Sequence, residues 1–423
     1  MSSRAALGRL SFLMATCFVD MLGFLIVLPL LPFYATRLGA DAFVVGLMVS
    51  AFAVAQLATA PLWGRLSDRI GRRPTILGGL VISALAYLLF ALACAERATA
   101  VLEPGALLAV LFVSRLVQGA GTGTTGVVQA YVSDSVPPEE RAKALGWLTA
   151  ATSTGVMIGP VIGSLAATLG PAAPGLVAAG LCVANVTFGF FWLPEPPRGG
   201  AAAGEAPARR SVRRMMAAML AHPGRPAPSL IWIYAVGMMA FMAMNAVLAL
   251  FLQRRFGVTE KTIGYFYTYV GAVSLVMRSL VLGPAVARFG EPRVLQLGIL
   301  ALGLGFALMP LAPGIPVFGL VVVLVPVGTA LLFPSTTSLV SRVADRAEVG
   351  QMMGVQQAYG GVARMVGPMW AGAAFEHLSP SAPFWISAAL AAGLWLFAAR
   401  LRHVPELAPR AAGAGGAPHT PGS

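Results

Sequence analysis

The stretch PLWGRLSDRIGRRP, residues 61–74, separates two long apolar runs with a short and strongly charged turn. The turn contains two glycines, a closing proline and the charged residues Arg65, Asp68, Arg69, Arg72 and Arg73. Because the turn is so short, the two membrane-length runs are predicted to form a helical hairpin with the helices side by side. Cytoplasmic loops of membrane proteins accumulate Lys and Arg, so this turn is predicted to face the cytoplasm.

The composition places the rest of the chain in a membrane as well. The chain has 423 residues, of which 57% are hydrophobic and 11% are charged, whereas a soluble domain carries roughly 25% charged residues. The net charge of +13 is spread over short loops between apolar runs, which indicates orientation in a bilayer rather than binding to nucleic acid. The three cysteines lie singly inside apolar runs and indicate neither a disulfide framework nor a metal site.

The apolar runs predict an all-α membrane protein with twelve transmembrane helices, since each spanning helix needs about 20 apolar residues. The predicted helices lie near residues 10–34, 43–62, 75–95, 106–133, 144–169, 175–193, 229–253, 262–283, 294–312, 316–341, 351–375 and 383–401. We expect an N-terminal six-helix bundle at 1–193, a cytoplasmic linker at 194–228, a C-terminal six-helix bundle at 229–402 and a disordered cytoplasmic tail at 403–423. The linker and the tail are rich in Pro, Gly and Ala, which cannot build a spanning helix.

The distribution of Lys and Arg supports this layout. Of the 29 such residues, 21 fall on the side of the 61–74 turn, 5 fall on the opposite side and 3 lie within predicted helices. This bias predicts that both termini are cytoplasmic.

The two halves of the chain also repeat each other. Residues 64–74 align without gaps to residues 283–293, and residues 133–160 align without gaps to residues 341–368. In the second alignment the pair Gly159-Pro160 matches Gly367-Pro368. Two pseudo-repeated bundles joined by a linker are the layout of a transporter whose halves rock against each other.

Four motifs add a family resemblance: Gly64-x-Leu66-Ser67-Asp68-Arg69-x-Gly71-Arg72-Arg73 in the turn, Asp20-x-x-Gly23 with Pro29 and Pro32 in helix 1, Arg115-x-x-Gln118-Gly119-x-Gly121 in helix 4, and Gly155-x-x-x-Gly159-Pro160-x-x-Gly163 in helix 5. They resemble the major facilitator superfamily, in particular its drug:proton antiporter group with twelve helices, which includes the tetracycline exporters. The resemblance covers nearly the whole chain. Tetracycline exporters carry further acidic residues in helices 3 and 9, and this chain has none there, which argues against tetracycline itself as the substrate.

Asp20 is the one acidic residue of sixteen that falls in the middle of a predicted helix. It lies roughly 15 Å from the cytoplasmic end of helix 1, and Arg115 lies roughly 14 Å from the opposite end of helix 4. Because a charge in hydrocarbon is costly, we predict that the two side chains pair, directly or through water. In one interpretation Asp20 is a proton carrier whose protonation follows its distance from Arg115. In the other, the pair is a fixed structural link between helices 1 and 4.

The resemblance implies a conformational latch at the cytoplasmic end, formed by Gly64, Asp68, Arg69, Gly71, Arg72 and Arg73 of the turn together with Asp134. In the family the aspartate of the turn meets the start of helix 11, where a helix N-terminus favours negative charge. The arginine that corresponds to Arg72 pairs with an acid at the foot of helix 4, here Asp134. The alternative is that the charges of the turn only set orientation.

The glycine motif of helix 5 predicts close helix packing. Gly155, Gly159, Pro160 and Gly163 are expected to line the seam between the two halves, where a glycine surface can slide. Candidate residues of a substrate cavity are polar or aromatic side chains at mid-depth, for each of which ordinary packing is an equal alternative: Gln129, Asn245, Tyr265, Tyr269, Gln357, Tyr359 and Arg364.

The residues therefore predict a secondary transporter of a bacterial cytoplasmic membrane that exports a small, fairly apolar, drug-like molecule in exchange for protons. Uptake or facilitated diffusion of a nutrient or organic acid on the same fold is the alternative, and a sensor or membrane enzyme is a third possibility. We expect no enzymatic activity, no cofactor, no metal and no nucleic-acid partner. The expected partners are the substrate, protons and lipids, and the expected state is a monomer.

Overall fold

The structure is a computed structural model that describes residues 3–136, 138–196, 224–344 and 348–400. The predicted tail 403–423 and most of the predicted linker 194–228 lie outside these ranges. Every regular element within them is helical, which confirms the predicted all-α fold.

Twelve long helices follow one another within the described residues, in the order that the sequence predicts. They are α1 (Ser3–Val27, continued by the short helix Leu31–Arg37), α2 (Ala42–Ile70), α3 (Arg72–Cys94), α4 (Pro104–Thr122 and Thr125–Ser135), α5 (Pro138–Ala167), α6 (Ala173–Trp192), α7 (Pro226–Phe256), α8 (Ile263–Phe289), α9 (Glu291–Leu308), α10 (Ile315–Val322 and Leu324–Val343), α11 (Val349–His377) and α12 (Ala382–Arg400). A further short helix, Glu96–Val101, connects α3 to α4.

Eleven of the twelve are long and apolar enough to cross a membrane. The twelfth, α11, has 29 residues, which is ample length. It is less apolar because it carries glutamines and Arg364 among its glycines. A spanning helix can afford such residues only where it packs against other helices or lines a cavity.

Single glycines make the tight turns of the two repeats. Gly71 alone separates α2 from α3, with φ +107°, and Gly290 alone separates α8 from α9, with φ +77°. Both values lie in the region that only glycine occupies without strain. The charged turn therefore forms the predicted hairpin, and its counterpart in the second half forms another.

The helices divide into two six-helix bundles with equivalent internal packing. In the N-terminal half α1 packs on α5, and α3 packs on α4; in the C-terminal half α7 packs on α11, and α9 packs on α10. The first residues after α6 belong to the N-terminal half, because the Tyr131 hydroxyl donates to the Pro194 carbonyl (2.6 Å) and the Glu195 carboxylate accepts the amides of Arg72 and Arg73. The parallel arrangement of the two bundles agrees with the repeats seen in the sequence.

The halves meet along two helix pairs, α2 with α11 and α5 with α8. We call the end that carries the Gly71 turn the inner end, and the other the outer end. The α2–α11 contact is closest at Gly46, where an added Cβ would lie 2.3 Å from the Pro368 carbonyl oxygen. The α5–α8 contact is closest at Gly264, where an added Cβ would lie 2.2 Å from the Pro160 carbonyl oxygen. These paired contacts, which we call the outer seam, hold the halves together from mid-depth to the outer end.

Toward the inner end, no hydrogen bond or ion pair joins the two halves within the described residues, and a Cβ added to Gly64 of α2 or Gly354 of α11 would meet nothing within 4 Å. Beyond Leu57 most residues of α2 are exposed, as are most residues of α8 beyond Val276 and most of α5 from 143 to 150. The hydrogen bonds and ion pairs that join the halves connect residues 37–42 and 157–164 to residues 260–268 and Glu376. The cleft between the two bundles is therefore closed at the outer end and open at the inner end.

Candidate functional site

Arg115 lies at the centre of the N-terminal half, and its side chain is fully buried. It faces α3, where its guanidinium carbon lies 5.8 Å from the centre of the Phe90 ring. None of its three guanidinium nitrogens has a hydrogen-bond partner within the described part of the chain. The direct ion pair with Asp20 predicted from the sequence is therefore absent from this conformation.

Tyr87 lies near both charges. Its hydroxyl lies against α1, where a Cβ added to Gly23 would be 2.7 Å away, and accepts a hydrogen bond of 2.6 Å from the Gln118 amide on α4. The ring thus occupies the space between α1 and α4, within reach of the charges of both Asp20 and Arg115. Sequence reasoning missed Tyr87 as a member of the site. The sequence did contain one signal. Arg115 and Gln118 are three residues apart and so share one face of α4, which indicates a neighbouring helix with a polar side chain at that depth.

Asp20 is half-buried on α1, among the apolar side chains of the N-terminal half. Within the described ranges it is the one acidic residue in the interior of a spanning helix, since the others lie in connections or at helix ends. It makes no ion pair with another described residue. Asp20 and Arg115 thus lie on either side of Tyr87 as two separate charges.

Two of the predicted cavity residues, Gln357 and Arg364, share one face of α11. Pro368 contacts α2 and Gly367 contacts α7, and at 100° per residue both polar side chains project between these two contacts. That sector faces the cleft between the halves. Gln357 is exposed, Arg364 is half-buried, and Arg364 has no acidic partner among the described residues. Gln129, on α4, is exposed as well.

The prediction that Tyr265 and Tyr269 face the cavity is wrong. Tyr267 faces α7, because its hydroxyl donates to the Asn245 carbonyl at 3.3 Å. Tyr265 and Tyr269 are each two residues away, so they point about 160° from it, away from α7 and the cleft. Both are exposed, at 58% and 41%. Mean hydropathy does not reveal this rotation, since it reports that α8 is apolar enough to span a membrane but not which face packs inward.

The other two candidates pack against protein. The Asn245 amide donates to the Phe241 carbonyl one turn earlier, at 2.9 Å. Tyr359 is buried with its ring set edge-on to Trp232, the centroids 5.4 Å apart. Both residues belong to the packing of the C-terminal half in this conformation.

The charged turn contains the contact that the resemblance implies. Arg72 donates to Asp134 at the end of α4 (3.1 Å), and also to Asp68 and Ser67 (2.8 Å each). Asp68, however, is 68% exposed and is not set against the start of α11. The contact within the N-terminal half that the resemblance implies is present, and among the described residues Asp68 makes no ion pair with the C-terminal half.

The glycine stripe of α5 packs inside the N-terminal half, so its predicted place at the seam is wrong. Added Cβ atoms at Gly155, Gly159 and Gly163 would lie 2.7, 2.9 and 2.4 Å from carbonyl oxygens of α1. Residues four apart share one helical face, and here that face covers α1. The neighbouring face, with Met157 and Pro160, meets α8 instead.

The seam glycines, Gly46 and Gly264, went unnoticed in the sequence. Each lies in an apolar run with no motif around it. The available sequence signal was the repeated Gly-Pro pair, Gly159-Pro160 and Gly367-Pro368. In the structure Gly264 meets the carbonyl of Pro160, and Gly46 meets the carbonyl of Pro368.

Comparison with known proteins agrees with this architecture. The sequence profile of the Major Facilitator Superfamily matches residues 13–281 and 278–421. The chain belongs to this superfamily. It is therefore a multi-pass membrane transporter, and its two bundles are those of the major facilitator fold.

Relatives of the chain include resistance proteins of bacteria and a human solute carrier. The chain is 28% identical over 375 residues to the class B tetracycline resistance protein of Escherichia coli, covering 87% of this chain and 88% of that protein. It is 28% identical over 372 residues to multidrug resistance protein 2 of Bacillus subtilis (strain 168), covering 86% and 88%. It is 27% identical over 387 residues to human solute carrier family 67 member A1, covering 86% of each.

Solved structures of transporters share the fold. The human organic anion transporter MFSD10 (TETRAN) superposes with a TM-score of 0.67 at 23% identity, covering 94% of this chain and 100% of that one. The nucleoside transporter NupG superposes with a TM-score of 0.71 at 15% identity, covering 93% and 99%.

Proposed function

We propose that this superfamily member exports a small, fairly apolar, drug-like molecule in exchange for protons by alternating access. The names of its relatives, tetracycline and multidrug resistance proteins, support export of such molecules. The main observation behind the proposal is Asp20. A carboxylic acid inside a spanning helix is energetically costly, so its presence there indicates a functional site. In the described residues it stands alone in that position.

The excess of Lys and Arg on one side supports a cytoplasmic inner end, with both termini there, in a bacterial cytoplasmic membrane. The conformation described here is then open to the cytoplasm. In it a substrate enters the cleft from inside while Asp20 exchanges its proton with the same compartment. When the inner end closes and the outer end opens, the substrate and Asp20 would both become accessible from the outside.

The free charge of Arg115 supports a role for the Asp20 region in coupling. Its guanidinium is buried without a partner among the described residues, so a rearrangement around Tyr87 that brings it nearer to Asp20 would lower the electrostatic energy of both groups. Such a rearrangement between inward-open and outward-open states would change the proton affinity of Asp20. That difference between states is what couples a proton to the cycle.

Charge in the cleft bears on the class of substrate. Arg364 faces the cleft, whereas Arg115 is buried inside the N-terminal half. With Asp20 ionised, these three charged side chains give a net charge near +1 at mid-depth. This disfavours a dication and suits a neutral or anionic molecule. The absence of acids inside α3 and α9 in the described residues argues against tetracycline itself.

Arg364 also favours the second candidate, uptake or facilitated diffusion of an organic acid. A guanidinium that faces the cleft without an acidic partner among the described residues is suited to bind a carboxylate in two-pronged fashion. On this alternative, transport of an organic anion would run without a pH gradient, and Arg364→Gln would weaken it.

The test uses purified protein in liposomes with an imposed pH gradient. We expect Asp20→Asn to lose gradient-driven export while keeping substrate counterflow, since the amide cannot carry a proton. Asp41→Asn is the matched control, because Asp41 caps α2 through Val44 N–H (2.7 Å) and asparagine caps equally well. Export by Asp20→Asn at the wild-type rate would refute proton coupling through this residue, and counterflow of an organic acid without any gradient effect would favour the alternative.

A further inference from the structure

The C-terminal half contains an ion pair at the position equivalent to Arg72–Asp134. The gapless alignment of residues 64–74 with 283–293 places Glu291 opposite Arg72. The alignment of 133–160 with 341–368 places Arg342 opposite Asp134. The two residues are opposite in charge to their counterparts, so sequence comparison alone presents them as mismatches.

In the structure these mismatches form the same contact. Glu291 Oε2 accepts from Arg342 Nη1 at 3.0 Å, and Arg72 Nε donates to Asp134 Oδ2 at 3.1 Å. Each pair ties the first turn of one helix, directly after a positive-φ glycine, to the last turn of the next helix along the chain. In the C-terminal half that tie joins α9 to α10.

A serine supports the charged residue of the turn in both halves. Ser338 Oγ donates to Glu291 Oε1 at 2.6 Å, whereas Ser67 Oγ accepts from Arg72 at 2.8 Å. The serines lie on different helices, α10 and α2, so they are not a product of the repeat. Glu291 is the more enclosed member of its pair, with its side chain 16% exposed. Each carboxylate oxygen of Glu291 accepts from its own donor, one from Ser338 and one from Arg342. Glu291 therefore has a fixed geometry that an exposed surface ion pair lacks.

We propose that Glu291, with Arg342 and Ser338, is a positioning site for transport that braces the inner end of the C-terminal half. The brace makes the α8–α9 turn and the end of α10 move as one body when the inner end closes. This rests on the alternating access of the proposed function, but not on which substrate or proton is used. Because the brace acts within one half, the acid and the base should be able to exchange places. The N-terminal half has them in the opposite order, with Arg72 after the turn glycine and Asp134 at the end of the next helix.

The test compares Glu291→Gln, Arg342→Gln and the charge-reversed double variant Glu291→Arg/Arg342→Glu in proteoliposomes. The readouts are substrate counterflow, which needs no pH gradient, and substrate affinity of the detergent-solubilised protein. We expect each single variant to slow counterflow about 10-fold, as a loss of ~1.4 kcal/mol would, with affinity unchanged because the brace is remote from mid-depth. The double variant should recover the wild-type rate.

Glu96→Gln is the control, since Glu96 is exposed at the outer end, next to the α3–α4 connection. Counterflow at the wild-type rate in Glu291→Gln would overturn the proposal, and so would a double variant as slow as the single ones. A single variant that lost affinity and rate together would also overturn it, by placing Glu291 in substrate binding or folding. Failure of the proposed export would show separately, as a wild-type protein insensitive to the pH gradient.

Discussion

At the scale of single residues, Arg115 is a fully buried charge in the middle of a spanning helix. A cation in the middle of a membrane costs at least ~2.5 kcal/mol even on the mildest scales, and here the described residues offer it only the Phe90 ring and no acceptor. Among the described residues no carboxylate pairs with it. A buried charge without a hydrogen-bond partner among the described residues is what the proposed coupling role of Arg115 would require.

We expect Arg115→Met to stabilise the protein while abolishing transport. Replacing even a buried ion pair with apolar residues of similar volume is often neutral or stabilising by about 1–4 kcal/mol, and Arg115 has no ion-pair partner among the described residues. Thermal unfolding in detergent measures the first effect and counterflow the second. Arg97→Met, at an exposed position near the outer end, is the control and should change neither. A lowered melting temperature in Arg115→Met would mean that the guanidinium has a partner in the folded protein.

Two glycines with similar clearance should respond differently to a side chain. Gly163→Val places its Cβ 2.4 Å from the Ile26 carbonyl oxygen, inside the N-terminal half, whereas Gly264→Val places it 2.2 Å from the Pro160 carbonyl oxygen, across the outer seam. Overpacking within a bundle costs typically about 1–3 kcal/mol, so Gly163→Val should lower the melting temperature. Gly264→Val should instead part the halves at the outer end.

Labelling of a cysteine placed at Thr268 from the outside measures that parting. Thr268 lies on the outer seam, where its hydroxyl donates to the Met157 carbonyl at 3.0 Å. We expect faster labelling in the Gly264→Val background than in the Gly163→Val background. Equal labelling rates, or a large loss of stability in Gly264→Val, would mean that the seam is part of the folded core rather than a surface that opens.

At the scale of the helix, α8 differs from its counterpart α2 by one residue. The spacing from the seam glycine to the first glycine of the repeated turn is one residue longer in α8 (Gly264 to Gly283) than in α2 (Gly46 to Gly64). The structure absorbs the extra residue in a π-helical segment, Met277–Val281, between the seam and the turn. A π-bulge is how a helix accommodates a single inserted residue without losing register at both ends.

Deletion of one residue from this bulge should be tolerated. Removing Leu280, which is 69% exposed, restores the spacing of α2 and leaves the seam and the turn in register. We expect little change in the melting temperature. Deleting Tyr265, also exposed, is the matched control, because it shifts Gly264 relative to Thr268 and should break the seam contacts. If the two deletions lowered the melting temperature equally, the π-helical segment would not be the place where α8 accommodates its extra residue.

At the scale of the whole molecule, polar contacts at the outer end hold the two halves in the described conformation. Arg37 on the N-terminal half pairs with Glu260 on the C-terminal half. Glu376, near the end of α11, accepts the first amide of α2, Ala42 N–H, at 3.1 Å. A carboxylate at a helix N-terminus is stabilised by the free amides there. Two carboxylates of the C-terminal half thus contribute contacts to the closed outer end, beside those of the outer seam.

Glu260→Gln should shift the balance of conformations toward opening of the outer end. The Arg37 side chain is half exposed, so the pair is worth only about 0.2–1 kcal/mol, and the population ratio should change by no more than about 5-fold. Distances between spin labels on the two halves at the outer end measure this ratio. Glu103→Gln, an exposed acid at the start of α4, is the control. An unchanged distance distribution would mean that the seam glycines alone close the outer end.

The sequence by itself determined the features that depend on local composition. Runs of apolar residues fixed the twelve helices, Gly71 and Gly290 fixed the hairpin turns, and the position of Asp20 within its run singled it out. The Arg72–Asp134 contact was also expected, through the family resemblance. Each of these features concerns where a residue lies along the chain, which hydropathy and turn chemistry report directly.

Only the tertiary structure decided which way each helix faces. The separation of Asp20 from Arg115, the outward direction of Tyr265, the packing of Gly155 on α1 and the pairing of Glu291 with Arg342 all depend on rotation about a helix axis. In water a polar face and an apolar face reveal that rotation. In a bilayer the lipid is as apolar as the protein core, so the sequence of a spanning helix carries little record of which face packs inward.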